Sequence, residues 1–197
     1  MIINRAIVIP DQHFPIHDRK AVKVVLKAID LIKPDIFINL GDVGEWSSVS
    51  NHKYKRRKRP PIEYQLPEKE IKAVNQQIDR FDEALEKVGC KEKHILAGNH
   101  DEWLDAFVEE NPYLDQYTFR NACKWDSRGY IYKKYNEVLT IGKLSFIHGA
   151  YTGNHTRTHL TRYLTNIMCG HVHDVGRLAL TSLEGNIRAW AMGCLKD

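Results

Sequence analysis

The sequence lacks the features that mark membrane, secreted or fibrous chains. No apolar run approaches the length of a membrane span or a signal-peptide core, since the first residues, MIINRAIVIPDQH, meet charge almost at once. The expectation is a cytoplasmic protein with no membrane partner. Four cysteines (Cys90, Cys123, Cys169, Cys194) show no Cys-x-x-Cys spacing, which excludes a zinc ribbon or a thioredoxin-like motif and reads as reduced, mostly buried thiols. No internal repeat and no low-complexity tract is visible, so collagen-like and coiled-coil readings fall away.

What is present is an ordinary globular balance: 43% hydrophobic and 27% charged residues, with a mean hydropathy of -0.46. A chain of 197 residues reads as a single domain over 1–197, burying about 70% of its unfolded surface without disulfides. The net charge is +4, but Lys53, Lys55, Arg56, Arg57, Lys58 and Arg59 crowd into seven positions; without them the remainder stands at -2. They lie in a Pro-flanked stretch at about 50–67 that reads as a loop insertion of functional character.

Ala6–Ile9 and Ile36–Leu40 read as buried strands around a helix over Arg19–Lys33, capped by Asp18 and ended by Pro34. The spacing of Ile71, Val74, Ile78, Phe81, Leu85 and Val88 predicts a helix over Glu68–Val88. A strand at His94–Ala97 precedes a helix over Glu102–Glu110, and a Tyr- and Trp-rich stretch after it has no clear period. Strands follow at Val138–Ile141, Leu144–Ile147, Ile167–Cys169 and Ile187–Met192, with a helix over Thr156–Leu164. Early alternation and late clustering of strands favour a layered α/β protein with more than one sheet.

The strongest signal is a recurrence. Five apolar runs are each followed at once by a polar cluster: Asp11-Gln-His13, Gly41-Asp42, Gly98-Asn99-His100-Asp101, His148-Gly149 and Gly170-His171-Val-His173. Ligands bind beyond the carboxyl ends of strands in open α/β sheets, so these ends are expected to converge. Asp, His and Asn side chains form an oxygen and nitrogen donor set suited to Mn, Fe, Zn, Ni or Co. Seven of them exceed one four-coordinate ion and fit two ions about 3.5–4 Å apart. A carboxylate suits a bridging position, and Asp42 is the acid directly after the second strand.

The order Asp-x-His, Gly-Asp, Gly-Asn-His-Asp, His, Gly-His-x-His, from position 11 to 173, resembles the calcineurin-like metallophosphoesterase superfamily. The resemblance implies a four-layer sandwich, two packed mixed β-sheets flanked by helices. It implies two divalent transition-metal ions, manganese foremost: Asp11, His13 and His173 on the first, Asn99, His148 and His171 on the second, and Asp42 between them. His100 resembles the family's catalytic histidine, protonating the leaving oxygen or stabilising charge on the phosphate. Glu45 stands where the phosphoprotein phosphatases have an acid that orients that histidine, with Asp101 as competitor. Trp46 occupies the place of their phosphate-gripping Arg, which argues against a protein phosphatase.

The expected activity is phosphate-ester hydrolysis by metal-activated hydroxide attack, on a phosphodiester in a nucleotide or nucleic acid. A phosphomonoesterase of small substrates is the alternative within the class, and a basic nucleic-acid-binding module with a non-catalytic metal site is the alternative outside it. Lys53, Arg56, Arg57 and Arg59 are candidate phosphate contacts. Asn154 and His155 are close enough in sequence to His148 to be candidate substrate contacts, although surface or capping roles are the commoner fate of His155 and His159. Trp46, Trp103 and Trp125 read as core or rim packing rather than base-stacking platforms. The oligomeric state is not legible in the sequence.

Overall fold

In the computed structural model, which describes residues 5–50, 67–183 and 185–197, the short β-branched runs become strands that can be covered on both faces. β1 (Ala6–Ile9), β2 (Ile36–Asn39), β3 (Glu92–Leu96) and β4 (Tyr130–Lys133) form a four-stranded sheet in that order, every neighbour parallel. Parallel neighbours need crossovers, and two amphipathic helices supply them: α1 (Arg19–Ile32) between β1 and β2, and α2 (Glu68–Lys87) between β2 and β3. Asp18 caps α1 as its sequence position requires, accepting the N–H groups of Lys20 and Ala21 at 2.7 and 3.2 Å.

The second sheet has five strands: β5 (Leu139–Ile141), β6 (Leu144–Ile147), β7 (Asn166–Cys169), β8 (Val175–Ser182) and β9 (Gly185–Met192), ordered β5-β6-β7-β9-β8. β6, β7 and β9 run parallel, and the two outer pairings are antiparallel. α5 (His155–Tyr163) makes the crossover from β6 to β7.

The register of β2 divides the core. Phe37 faces the helices and joins Val22, Ile29, Val74, Ile78 and Phe81, whereas Ile36, Ile38 and Leu40, with Leu96 of β3, meet Leu139 and Phe146 of the facing sheet. Leu160 of α5 covers the far side of the second sheet with Ile147, Ile167, Cys169 and Ala189. The result is an α/β stack of helices, sheet, sheet and helix, the expected architecture, with the refinement that only the second sheet is mixed.

Two strands escape the sequence pattern. The Tyr- and Trp-rich stretch after α3 (Glu102–Glu110) becomes a 3₁₀ turn at Pro112–Tyr117, the short α4 (Phe119–Ala122) and then β4. β8 lies at a sheet edge with exposed Arg177, Ala179 and Thr181 alternating with half-buried Leu178 and Leu180, too little apolar content to announce itself. The basic residues between 51 and 66 lie outside the described residues.

The parallel order has one consequence for function. The carboxyl ends of β1, β2 and β3 share one edge, as do those of β6 and β7, and the bonds that join the edges include His148 Nδ1–H to the Leu40 carbonyl at 2.8 Å and the His171 N–H to Asp11 Oδ1 at 2.9 Å.

Candidate metal centre

Each strand end releases its functional side chain through a tight turn. His13, Asp42, His171 and His173 all have left-handed backbone, with φ of 49°, 49°, 77° and 60°. Non-glycine residues avoid that region, and strain of this kind, of order 1–3 kcal/mol per residue, persists where the surroundings impose it and gathers at functional sites. Two glycines let the turns close: a Cβ on Gly98 would stand 2.1 Å from Asp42 Oδ1, and one on Gly170 would stand 2.3 Å from Asp11 Oδ2.

All seven side chains that the sequence nominates as ligands meet at this edge. Asp11, His13 and His173 form one group and Asp42, His148 and His171 another, the donor atoms of each group within 4.8 Å of one another. Asn99 joins the second group, its Oδ1 3.0 Å from His148 Nε2 and 2.8 Å from His171 Nδ1. Asp42 lies between the groups, with Oδ2 3.4 Å from His148 Nε2 and 3.6 Å from His13 Nε2.

The donor chemistry fits divalent cations. His148 gives its Nδ1 proton to the Leu40 carbonyl and His13 gives its own to Glu45 Oε2 at 3.0 Å, so both rings turn Nε2 toward the carboxylates. Fixing the far ring nitrogen in this way is how proteins orient metal-binding imidazoles. The electrostatics are those of a crowded buried site. Burial, aided by the neighbouring Asp42 carboxylate, pushes Asp11 up to about 7. Burial also opposes ionisation of Asp42, but His148, His100 and His13 outweigh it and hold that carboxyl below its ordinary range. His148 is raised to about 10 against its burial by Asp42 and Asp11, while burial and the nearby His148 lower His171 to about 4.

His100 lies beside the two groups. Its backbone N–H donates to Asp42 Oδ1 at 2.8 Å, its Nδ1–H donates to the Glu45 carbonyl at 3.1 Å, and Trp103 packs against its ring with centroids 3.9 Å apart. The Glu45 carboxylate is 3.8 Å from His100 Nδ1 and serves His13 and Lys196 instead. Asp101 is wholly buried and turned elsewhere, accepting the N–H groups of Val43 and Gly98 and the Trp46 indole N–H at 2.9–3.1 Å. Of the two acids nominated to orient His100, the residue that meets its ring is Glu45, through the backbone carbonyl; Asp101 holds the Asp42 loop against the Gly98 turn.

A family model of calcineurin-like phosphoesterases matches residues 5–168. The chain belongs to the calcineurin-like phosphoesterases. It is accordingly a metal-dependent phosphoester hydrolase. This phosphoesterase is 26% identical over 195 residues to the Gene 54 protein of Mycobacterium phage D29, covering 88% of this chain and 70% of that protein, and 25% identical over the same coverage to the Gene 54 protein of Mycobacterium phage L5. Among solved structures it is similar to Pseudomonas putida nuclease MPE (12% identity, 98% of this chain and 76% of that one, TM-score 0.47). It is also similar to YfcE, a phosphoesterase from E. coli (15% identity, 98% and 81%, TM-score 0.44).

The nominated substrate contacts of this phosphoesterase fare unevenly. Lys53, Arg56, Arg57 and Arg59 fall outside the described residues. Asn154 is exposed at the start of α5. His155 is neither a surface residue nor open to substrate: it is buried, donating Nδ1–H to the Tyr151 carbonyl and turning Nε2 to Cys169 Sγ at 3.3 Å, because α5 packs that face on the second sheet. His159 is likewise buried. Trp46 and Trp125 are core residues as expected.

Sequence reasoning missed Lys196, whose Nζ lies 3.1 Å from Glu45 Oε2, and the buried amide pair Gln12 and Asn39 that ties the ends of β1 and β2. Neither carries a motif; Gln12 alone stood in view, inside Asp-x-His.

Proposed function

We propose that this calcineurin-like phosphoesterase holds two divalent ions sharing Asp42 and hydrolyses phosphodiesters of nucleotides or nucleic acid. The observation that carries the dinuclear reading is that Asp42 Oδ2 stands 3.4 Å from His148 Nε2 in its own donor group and 3.6 Å from His13 Nε2 in the other. Asp11, His13 and His173 would hold one ion, and Asn99, His148 and His171 the other. When bound, such ions polarise the phosphate and lower the pKa of water toward neutrality; manganese heads the candidates, with Fe, Zn, Ni and Co also suited to these donors.

The chain's own residues supply the rest. With Nδ1 committed to the Glu45 carbonyl, His100 has Nε2 free to meet the leaving oxygen. Burial lowers its pKa while the Asp42 carboxylate favours the protonated ring, so a proton on Nε2 would be weakly held beside the leaving oxygen. Glu45 fixes the His13 ring, and against its burial the hydrogen bonds from His13 and Lys196 hold the Glu45 carboxylate well down at about 2. Preference for a polyanionic diester rests on the six cations from Lys53 to Arg59, in a segment that opens at Asn51, nine residues after Asp42.

The test is a side-by-side assay of an aryl phosphomonoester and an aryl phosphodiester with Mn, Ni, Zn and Mg. Faster metal-dependent turnover of the diester is expected, and turnover of the monoester alone would contradict the diester assignment. Replacing Lys53, Lys55, Arg56, Arg57, Lys58 and Arg59 by Gln should weaken oligonucleotide binding and flatten its salt dependence; an unchanged slope would remove nucleic acid from the reading.

A further inference from the structure

A third group of donor atoms lies outside the two groups around Asp42. His155 and His159 stand one turn apart on the buried face of α5, and Cys169 ends β7 directly beneath them; all three are buried. Their donor atoms lie within 4.8 Å of one another.

The protons of this group are placed by the backbone. His155 Nδ1–H donates to the Tyr151 carbonyl, and His159 Nδ1–H donates to the His155 carbonyl at 2.9 Å. Both rings therefore turn an unprotonated Nε2 inward. The His155 nitrogen lies 3.3 Å from Cys169 Sγ. Among the described residues the His159 nitrogen has no partner, and it has no solvent contact. An orphaned buried acceptor costs about 1–3 kcal/mol, so an apolar residue at 159 would serve packing better unless something occupies the space before the nitrogen. Gly149 keeps that space clear: a Cβ there would stand 3.2 Å from His155 Cε1 and 3.3 Å from His159 Nε2.

We propose that His155, His159 and Cys169 form a third metal site, of two imidazole nitrogens and one thiolate, that takes Zn²⁺ with a water in the fourth position. The sulfur separates it chemically from the centre around Asp42, whose donors are oxygen and nitrogen only, and selects a borderline-soft ion over Mn or Mg. On loading, the Cys169 S–H bond breaks and an S–Zn bond forms, the proton passes to solvent, and the weak S–H contact to the Trp190 carbonyl at 3.5 Å is given up. No electron is transferred. The ion would pin the first turns of α5 to the end of β7, two residues before His171 and against the turn that carries His148, so its role is to position those two side chains.

The test uses the full chain, stripped of metal and titrated with Co²⁺ alone. Thiolate bound to Co²⁺ gives a near-ultraviolet charge-transfer band that oxygen and nitrogen donors do not. The proposal predicts one such band, reaching the amplitude of one thiolate-bound Co²⁺ per chain, displaced by Zn²⁺, absent in Cys169→Ser and retained in Cys194→Ser. His159→Asn should keep the sulfur and weaken the site at least tenfold, which tests the geometry even if Cys169→Ser fails to fold. No band in the unmodified chain, or a band unchanged in Cys169→Ser, overturns the proposal.

Discussion

The Asp42 carboxylate accepts the backbone N–H of His100 at 2.8 Å through Oδ1 while presenting Oδ2 to His148 and His13 at 3.4 and 3.6 Å. One oxygen is thus anchored by the turn after β3 and the other is offered to both donor groups. The residue assigned to join two ions is held in place by the residue assigned to protonate the leaving group.

Asp42→Asn keeps the shape and the acceptor for His100 but removes the charge. Metal content should fall at both donor groups and turnover should drop by more than the 10–100-fold typical of losing an indirect partner. Elemental analysis beside an assay checks this, and full activity in the variant would remove Asp42 from the centre.

Gly98→Ala would drive a Cβ to 2.1 Å from Asp42 Oδ1. Overpacking of this kind costs about 1–3 kcal/mol, and here the displaced atom belongs to a proposed ligand, so both melting temperature and metal affinity should fall. Gly153→Ala, with nothing within 4 Å of its Cβ, is the control and should leave both unchanged.

His100→Ala and Glu45→Ala should part company. The first is expected to retain metal and lower kcat by about 10²–10⁴-fold, the range of general-acid loss. The second frees the His13 ring and should lower metal affinity by about 10–100-fold. Calorimetric metal titration and kinetics on the same preparations separate them; metal loss in His100→Ala would make it a ligand instead.

Acid should unfold the metal-stripped protein early. Burial lowers the pKa of His17, His100, His155, His159, His171 and His173 below the ordinary 6.5, that of His171 to about 4, so the unfolded chain binds more protons as pH falls through 6.5. Four carboxyls pull the other way over the same range: Asp11 and Asp101, raised by burial to about 7 and about 6, and Glu102 and Asp105, also raised by burial; six rings outnumber them. His148, raised to about 10, gives stability that is complete below 6.5 and lost only toward alkaline pH. The urea midpoint should therefore be lower at pH 4.5 than at pH 7, and a higher value at 4.5 would contradict the balance.

Much of the candidate centre is legible in the sequence because its converging side chains follow buried strands at once, where apolar runs and polar clusters adjoin: Ile9 before Asp11, Leu40 before Asp42, Ile147 before His148. The parts not legible depend on pairing across the chain. Lys196 reaches Glu45 from 151 positions away, and no local pattern records that. β8 and β4 are short or edge strands whose partners, not their own composition, make them strands. His155 misleads for a related reason: a polar residue opening a helix reads as surface, and only the packing of α5 on β7 turns it inward toward Cys169.

The most direct test of the central claim is anomalous scattering from crystals grown with Mn²⁺. The account predicts two peaks, one bound by Asp11, His13 and His173, the other by Asn99, His148 and His171, with the Asp42 carboxylate touching both. A single peak, or two peaks neither of which touches Asp42, would contradict it.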